Sequence, residues 1–277
     1  MKKGIGIWAF AEPSLEKCFA LAQKYGYDGV ELALDEKGDI NLNSAREDME
    51  KVRSLADKYG LELYSVATGL YWSYSLTAGD AAVREKAEAI VRKQLDLAYW
   101  LGCDTILVIP GMVAGLAPGG EVVPYDVVYE RALEAIKRLA PYAEKRKVII
   151  GLENVWNKFL LSPNEMRDFI DEIDYPYVGA YFDVGNVILN GYPEQWISIL
   201  GNRISKVHFK DYRRSVGTLD GFVDILSGDV DYPAVMKALE DIGYDDWVTA
   251  EVFPQGKYSE SILDVTSKAM DIILGKA

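Results

Sequence analysis

The run VGAYFD, residues 178–183, is almost wholly apolar and ends in a carboxylate. Unbroken apolar runs of this length are typical of β-strands whose sheet is covered on both faces, as in parallel sheets. Seven further runs have the same β-rich character, at 4–8, 29–34, 61–68, 104–110, 148–154, 204–210 and 247–253. The sequence therefore predicts eight strands, most of them buried on both faces.

A segment with helical character follows each predicted strand. These segments cover residues 14–26, 44–60, 80–102, 129–146, 162–173, 193–200, 232–243 and 258–274. Pro13 precedes the first segment, and Gly26 and Gly60 end the first two, as expected at helix boundaries. Pro141 interrupts the fourth segment, where we expect the helix to kink or break.

Strict alternation of strand and helix indicates a parallel sheet, and eight such units predict a (β/α)8 TIM barrel of the α/β class. No linker or charge block divides the chain, so residues 1–277 are predicted to form a single domain. An open doubly wound sheet competes, but no G-x-G-x-x-G follows the first strand to support its dinucleotide-binding form. The irregular segment 110–126 follows the fourth strand and is interpreted as a candidate lid.

Composition restricts the partners of the chain. Its net charge of −13 disfavours nucleic acid, although one local cationic pocket would suffice for a small phosphorylated substrate. No apolar run approaches the roughly 20 residues of a membrane span, and the N-terminus is interpreted as a strand, not a signal peptide. Cys18 and Cys103 form no motif, so we expect reduced thiols in a cytoplasmic protein. The sequence is also compatible with a homo-oligomer.

Ionisable residues stand at the ends of four consecutive predicted strands. They are Glu153, Asp183, Glu251 and His208, the one histidine of the chain. Because strand C-termini meet at one face of a barrel, these side chains should converge. Three carboxylates and one imidazole suit Mn²⁺, Mg²⁺ or Co²⁺ better than a zinc site rich in cysteine or histidine. Glu31, on the second strand, is interpreted as a loop cap or half of an ion pair.

The segments around these residues resemble the metal-site motifs of the xylose isomerase-like TIM-barrel superfamily. They are GLEN (151–154), FDVGN (182–186), VHFKD (207–211) and AEVF (250–253), in family order. The segments GYDGVELAL (26–34) and AYWLGCDTILVIPG (98–111) add to the similarity. The chain is most similar to the sugar phosphate isomerase/epimerase family, which includes the ketose 3-epimerases.

The resemblance implies a site and a reaction. Glu153, Asp183, His208 and Glu251 would bind one divalent ion, with Mn²⁺ favoured and Mg²⁺ or Co²⁺ compatible. Glu153 and Glu251 would also be the catalytic residues, facing each other across a sugar or sugar-phosphate substrate. One would remove a proton next to the ketone to form a metal-stabilised enediolate, and the other would return it, giving 3-epimerisation.

The substrate-binding residues match the resemblance only in part. Phe159 stands where related epimerases have a second glutamate, and Asn186 stands where they have a histidine, whereas Arg214 matches their arginine. The predicted substrate contacts are Asn186, Lys210, Arg214, Trp8, Trp72 and Trp156. The tryptophans could form apolar walls against a sugar, and Lys210 with Arg213 and Arg214 could hold a phosphate.

Other functions remain open at this point. Aldose–ketose isomerisation would return the proton to the neighbouring carbon. An inosose dehydratase-type lyase would use a similar mononuclear site for elimination, and a non-catalytic sugar-binding barrel would leave two opposed glutamates unexplained. Endonuclease IV, another superfamily member, is disfavoured because its trinuclear zinc site needs several histidines and because this chain is acidic.

Overall fold

Parallel strands close into a barrel in the computed structural model, which describes residues 1–12, 14–116, 119–254 and 256–276. Its strands are β1 (Lys2–Gly6), β2 (Gly29–Leu34), β3 (Glu62–Thr68), β4 (Thr105–Val108), β5 (Ile149–Glu153), β6 (Val178–Asp183), β7 (Ile204–Phe209) and β10 (Trp247–Ala250). They pair in the order β1-β10-β7-β6-β5-β4-β3-β2, and β2 closes the ring on β1. Two short strands, β8 (Asp211–Tyr212) and β9 (Phe222–Val223), form an antiparallel hairpin outside the ring.

A helix follows each barrel strand. The helices are α1 (Leu15–Lys24), α2 (Arg46–Lys58), α3 (Ala81–Leu101), α4 (Tyr125–Arg146), α5 (Pro163–Ile173), α6 (Pro193–Leu200), α7 (Tyr232–Asp241) and α8 (Ser261–Ile273). The predicted TIM barrel is therefore confirmed, and the open doubly wound alternative is wrong because the sheet closes. Within the described ranges, none of these helices combines the length and apolarity needed to cross a bilayer.

Two local predictions differ from the structure. The first strand ends at Gly6, and Ile7–Ala9 form a 3-10 turn that carries Trp8 off the strand. Pro141 does not end the fourth helix, since α4 is continuous from Tyr125 to Arg146. Proline lacks the N–H that would bond the carbonyl one turn earlier, but Pro141 is exposed and water can satisfy that carbonyl. Pro13, predicted to precede the first helix, lies outside the described residues.

Aromatic rings fill the end of the barrel remote from the site. Tyr64 and Trp247 stack with ring centroids 3.9 Å apart. Gly29 leaves room for this stack, because a Cβ there would lie 2.6 Å from the Trp247 ring and 2.4 Å from the Glu62 carbonyl oxygen. Lys206, near the start of β7, is also buried and pairs with Asp246 at 2.6 Å and with Asp104 at 2.8 Å. Because this end of the barrel is filled by side chains, the opposite end is the one available for a functional site.

The segment between β4 and α4, interpreted from sequence as a lid, is tied to its neighbours. Its described part contains an isolated antiparallel bridge between Ala114 and Val122. The side chain of Asn157 donates to the Gly111 carbonyl at 2.7 Å, and the Val113 N–H donates to the Asn157 carbonyl at 3.0 Å. Residues 117 and 118 of this segment lie outside the described residues. The anchored part holds the segment at the mouth of the barrel.

Candidate active site

The four predicted ligands converge at one end of the barrel. Glu153 ends β5, Asp183 ends β6, His208 lies on β7 and Glu251 follows β10 by one residue. One potential ligand atom from each lies within 4.8 Å of every other. His208 Nδ1 is 3.2 Å from Glu251 Oε2, 3.8 Å from Glu153 Oε1 and 3.9 Å from Asp183 Oδ2. The fold therefore brings together the four side chains that the sequence predicted to converge.

Three atoms of this cluster are buried and lack a hydrogen bond of good geometry, although the two carboxylate oxygens among them form ion pairs with Lys210. They are Asp183 Oδ2, His208 Nδ1 and Glu251 Oε2. The other oxygen of Asp183 accepts from the Asn186 N–H at 2.8 Å, so the carboxylate is held with its free oxygen toward the cluster. Buried polar atoms without good hydrogen bonds are costly, and a divalent ion between them would satisfy all three at once. The donor set therefore fits a hard divalent metal.

The carboxylates of the cluster perturb one another. Burial and the nearby Glu251 charge raise the pKa of Glu153 to about 8. Burial also raises the pKa of Asp183. Burial opposes ionisation of Glu251 as well, but Lys210 and His208 outweigh it and hold the Glu251 pKa below its usual range. Burial and mutual repulsion thus oppose full ionisation of the carboxylates, and a bound divalent cation would relieve both effects.

Lys210, predicted to contact substrate, lies among the ligand oxygens. Its Nζ is 2.6 Å from Glu251 Oε2 and 3.2 Å from Asp183 Oδ2. Burial lowers the pKa of Lys210, but the carboxylates of Asp183, Glu251 and Glu153 raise it by more, so the side chain stays charged. Its positive charge therefore pairs with the carboxylates of Asp183 and Glu251, which also face His208.

Glu31, interpreted from the sequence as a loop cap or half of an ion pair, pairs with the histidine of the site. It lies on β2, inside the barrel, and its Oε1 is 2.9 Å from His208 Nε2. Its Oε2 accepts from Ser65 Oγ at 2.6 Å and from the Tyr181 hydroxyl. Bonding of Nε2 to Glu31 leaves Nδ1 as the nitrogen that faces the cluster, an arrangement typical of metal-binding histidines. A charge within the apolar run GVELAL was the signal that could have identified it.

Asn154, next to the Glu153 ligand, is a residue that sequence reasoning missed. Its Oδ1 accepts from the Asp183 N–H at 2.9 Å, and its Nδ2 donates to the Asp183 carbonyl at 2.8 Å. Its own carbonyl accepts from Asn186 Nδ2 at 3.0 Å. These bonds join the ends of β5 and β6 and fix the position of Asp183.

A cavity of about 440 Å³ opens above the cluster. Glu153, His208, Lys210 and Glu251 line its polar side. The rest of its lining is mostly apolar and includes Trp8, Trp72, Trp156, Phe222 and Phe253. The three tryptophans predicted as substrate contacts therefore all line this cavity, where apolar ring faces could pack on a sugar.

The two remaining predicted contacts lie in different surroundings. Asn186 lines the cavity. Arg214 is exposed, and its guanidinium donates to the Ile188 carbonyl at 2.8 Å and the Gly191 carbonyl at 3.3 Å. Among the described lining residues of the cavity Arg214 does not appear, because the loop carbonyls hold its side chain elsewhere.

Comparisons with known proteins agree with the fold. A family model described as a xylose isomerase-like TIM barrel matches residues 19–269. An L-ribulose 3-epimerase of a Methylomonas strain is 27% identical over 90% of this chain and 81% of its own length. A putative L-ribulose-5-phosphate 3-epimerase of Escherichia coli is 27% identical over 88% of this chain and 85% of its own. The structure of a D-psicose 3-epimerase from Clostridium cellulolyticum aligns over 99% of both chains, with a TM-score of 0.82 and 20% identity.

Proposed function

Because the chain belongs to the xylose isomerase-like TIM-barrel family, we propose that it is a metal-dependent isomerase that epimerises a ketose at C3. Relatives that match most of the chain are named as an L-ribulose 3-epimerase and a putative L-ribulose-5-phosphate 3-epimerase, which supports an epimerase acting on a small sugar or sugar phosphate. The observation that carries the proposal is the convergence of four buried or half-buried potential ligand atoms beneath a sugar-sized cavity.

The residues that would hold the metal are Glu153, Asp183, His208 and Glu251. A divalent ion, with Mn²⁺ favoured and Mg²⁺ or Co²⁺ compatible, supplies Lewis acidity that stabilises negative charge developing on a substrate oxygen. Asn154 and Glu31 would keep the Asp183 and His208 side chains in position for that ion.

Proton transfer would fall to Glu153 and Glu251. The two strands that carry them, β5 and β10, are separated in the barrel by β6 and β7. Their carboxylates can therefore approach a substrate above the cluster from different sides. One removes the proton next to the ketone, and the other returns a proton to the opposite face, which inverts that carbon.

The substrate contacts follow from the cavity. Trp8, Trp72 and Trp156 would pack against the sugar, and Asn186 and Lys210 offer N–H donors to its oxygens. Arg214 would instead hold the loop of Ile188 and Gly191 in position, because its guanidinium donates to both carbonyls.

The test is a panel of ketoses incubated with the protein and Mn²⁺ in D₂O and followed by NMR. C3 epimerisation predicts deuterium at C3 together with the C3 epimer. Label at C1 or C2 with formation of an aldose would instead establish an aldose–ketose isomerase. Loss of water from an inosose, without deuterium in any ketose, would establish the dehydratase alternative. No reaction by a metal-loaded protein that still binds sugars would favour the non-catalytic barrel.

A further inference from the structure

A second cavity, of about 420 Å³, adjoins the cavity above the metal ligands. The two cavities have five lining residues in common, which are Leu116, Val155, Trp156, Asn186 and Leu219. Trp156 is fixed in this shared wall, because its indole N–H donates to the Asn186 carbonyl at 2.9 Å and its ring packs on Tyr212. A molecule longer than a monosaccharide that passes Trp156 would reach both cavities.

The second cavity is lined mainly by apolar side chains, with Asn154, Asn190 and Thr218 among the polar ones. The side chains found in it but not in the first include Phe159, Leu160, Leu161, Val187, Leu189 and Trp196. Among its described lining residues the one cation is Lys158, which is exposed. A ring placed there would exchange water contacts for apolar ones.

The wall of this cavity is preformed. Lys158 and Leu160 have positive φ angles of 59° and 52°, which residues other than glycine adopt only at a cost in conformational free energy. Phe159, between them, is buried and packs edge-on against Tyr125 and Phe169. The Leu160 N–H donates to the Tyr125 hydroxyl at 3.1 Å. These contacts hold a strained segment in one shape, so the apolar surface does not have to form on binding.

Charge in the first cavity disfavours a phosphate. Lys210 is the one cation among its described lining residues, and it is already paired with Glu251 and Asp183. With a divalent ion bound, the three carboxylates and Lys210 carry no surplus positive charge. The two arginines that could have held a phosphate are bonded elsewhere, Arg213 to the Ser227 carbonyl and Arg214 to the Ile188 carbonyl.

We propose that the substrate is an unphosphorylated ketose or keto-sugar bearing an apolar, ring-containing substituent that occupies the second cavity. The sugar lies above Glu153 and Glu251, and the substituent passes Trp156. This inference rests on the proposed function for the position of the sugar, and it adds the substrate class.

The experiment compares binding of matched O-methyl and O-phenyl ethers of D-fructose, substituted at C1 or at C6 so that the ketone stays free, to the Mn²⁺-loaded protein by calorimetry. We expect the phenyl form of at least one pair to bind about 10- to 100-fold more tightly, as burial of one ring predicts. D-fructose 6-phosphate should bind no more tightly than D-fructose. A phenyl preference absent from every pair, or a phosphate preference above about tenfold, would overturn the proposal.

Two variants show whether the preference comes from this cavity. Leu161 lines it and is 62% exposed, so Leu161→Glu adds a charge at its rim with little risk to folding. Val265, on α8, is 50% exposed and provides the matched control Val265→Glu. We expect the phenyl preference to fall to within about threefold in Leu161→Glu and to persist in Val265→Glu. If Leu161→Glu kept the preference for the phenyl form, the phenyl ring would bind outside the second cavity and the proposal would be wrong.

Failure of this inference can be told from failure of the proposed function. The binding comparison needs no turnover, whereas the deuterium experiment needs no apolar substituent. Deuterium at C3 of a simple ketose without any phenyl preference would remove the substrate class and leave the epimerase. A phenyl preference that Leu161→Glu abolishes, without deuterium in any ketose, would keep the apolar subsite and remove the epimerase.

Discussion

Replacement of Glu31 by glutamine tests how the histidine is held for metal binding. The carboxylate is 1% exposed and accepts at both oxygens, from His208 Nε2 at one and from Ser65 and Tyr181 at the other. Glutamine keeps the shape but offers only one acceptor oxygen. If its oxygen stays with the two hydroxyl groups, its NH₂ faces Nε2 and favours the imidazole tautomer with a proton on Nδ1.

An imidazole protonated at Nδ1 cannot donate that nitrogen's lone pair to a metal. The variant also lacks the negative charge 2.9 Å from Nε2 that makes the imidazole a stronger ligand. Loss of such an orienting partner typically lowers metal affinity about 10- to 100-fold, or about 1.4 to 2.8 kcal/mol. We therefore expect the dissociation constant of Mn²⁺ to rise by this factor in Glu31→Gln.

The measurement is calorimetric titration of the metal-free protein with Mn²⁺. Glu62→Gln is the matched control, since Glu62 lies on the neighbouring strand β3 and makes an exposed ion pair with Lys2. We expect it to bind Mn²⁺ within about twofold of the wild type, as an exposed ion pair contributes little. Circular dichroism confirms folding of both variants. An Mn²⁺ affinity of Glu31→Gln within about threefold of the wild type would refute the assigned role of Glu31.

Protein purified without chelator should contain about one divalent ion per chain by elemental analysis, and His208→Ala should lose it because a ligand is absent; equal content in both would contradict the ligand set. Glu153→Gln and Glu251→Gln should each fold but lose on the order of 10³-fold in turnover of a verified substrate, and near-normal turnover would remove that residue from the mechanism. Gly29→Ala should lower the free energy of urea unfolding by about 1–3 kcal/mol, because its Cβ would lie 2.4 Å from a carbonyl oxygen. Gly69→Ala, which has negative φ and open space, should change it by less than about 0.5 kcal/mol, and equal losses would contradict the packing argument.

The barrel could be predicted because its information is local and repeated. Each apolar strand and each helical segment has its own periodicity, and their alternation leaves few arrangements once both faces of the sheet must be covered. The differences occur where neighbouring structure decides the outcome. Trp8 leaves the strand because Ile7–Ala9 turn, and Pro141 is tolerated because its side of α4 faces solvent.

The ligands could be predicted for a related reason, since each is an ionisable residue at the end of a strand and topology brings strand ends together. The position of the Arg214 side chain could not be predicted, because it depends on the loop around Ile188. That loop has no periodicity from which its path could be inferred.

Glu31 carries the same signal as Glu153, a charge within an apolar strand, but its meaning depends on a partner 177 residues away across the barrel. The carboxylate is stable there because His208, Ser65 and Tyr181 all bond to it. A buried charge in a sequence thus indicates that a partner exists, and only the closed barrel identifies that partner as the histidine of the site.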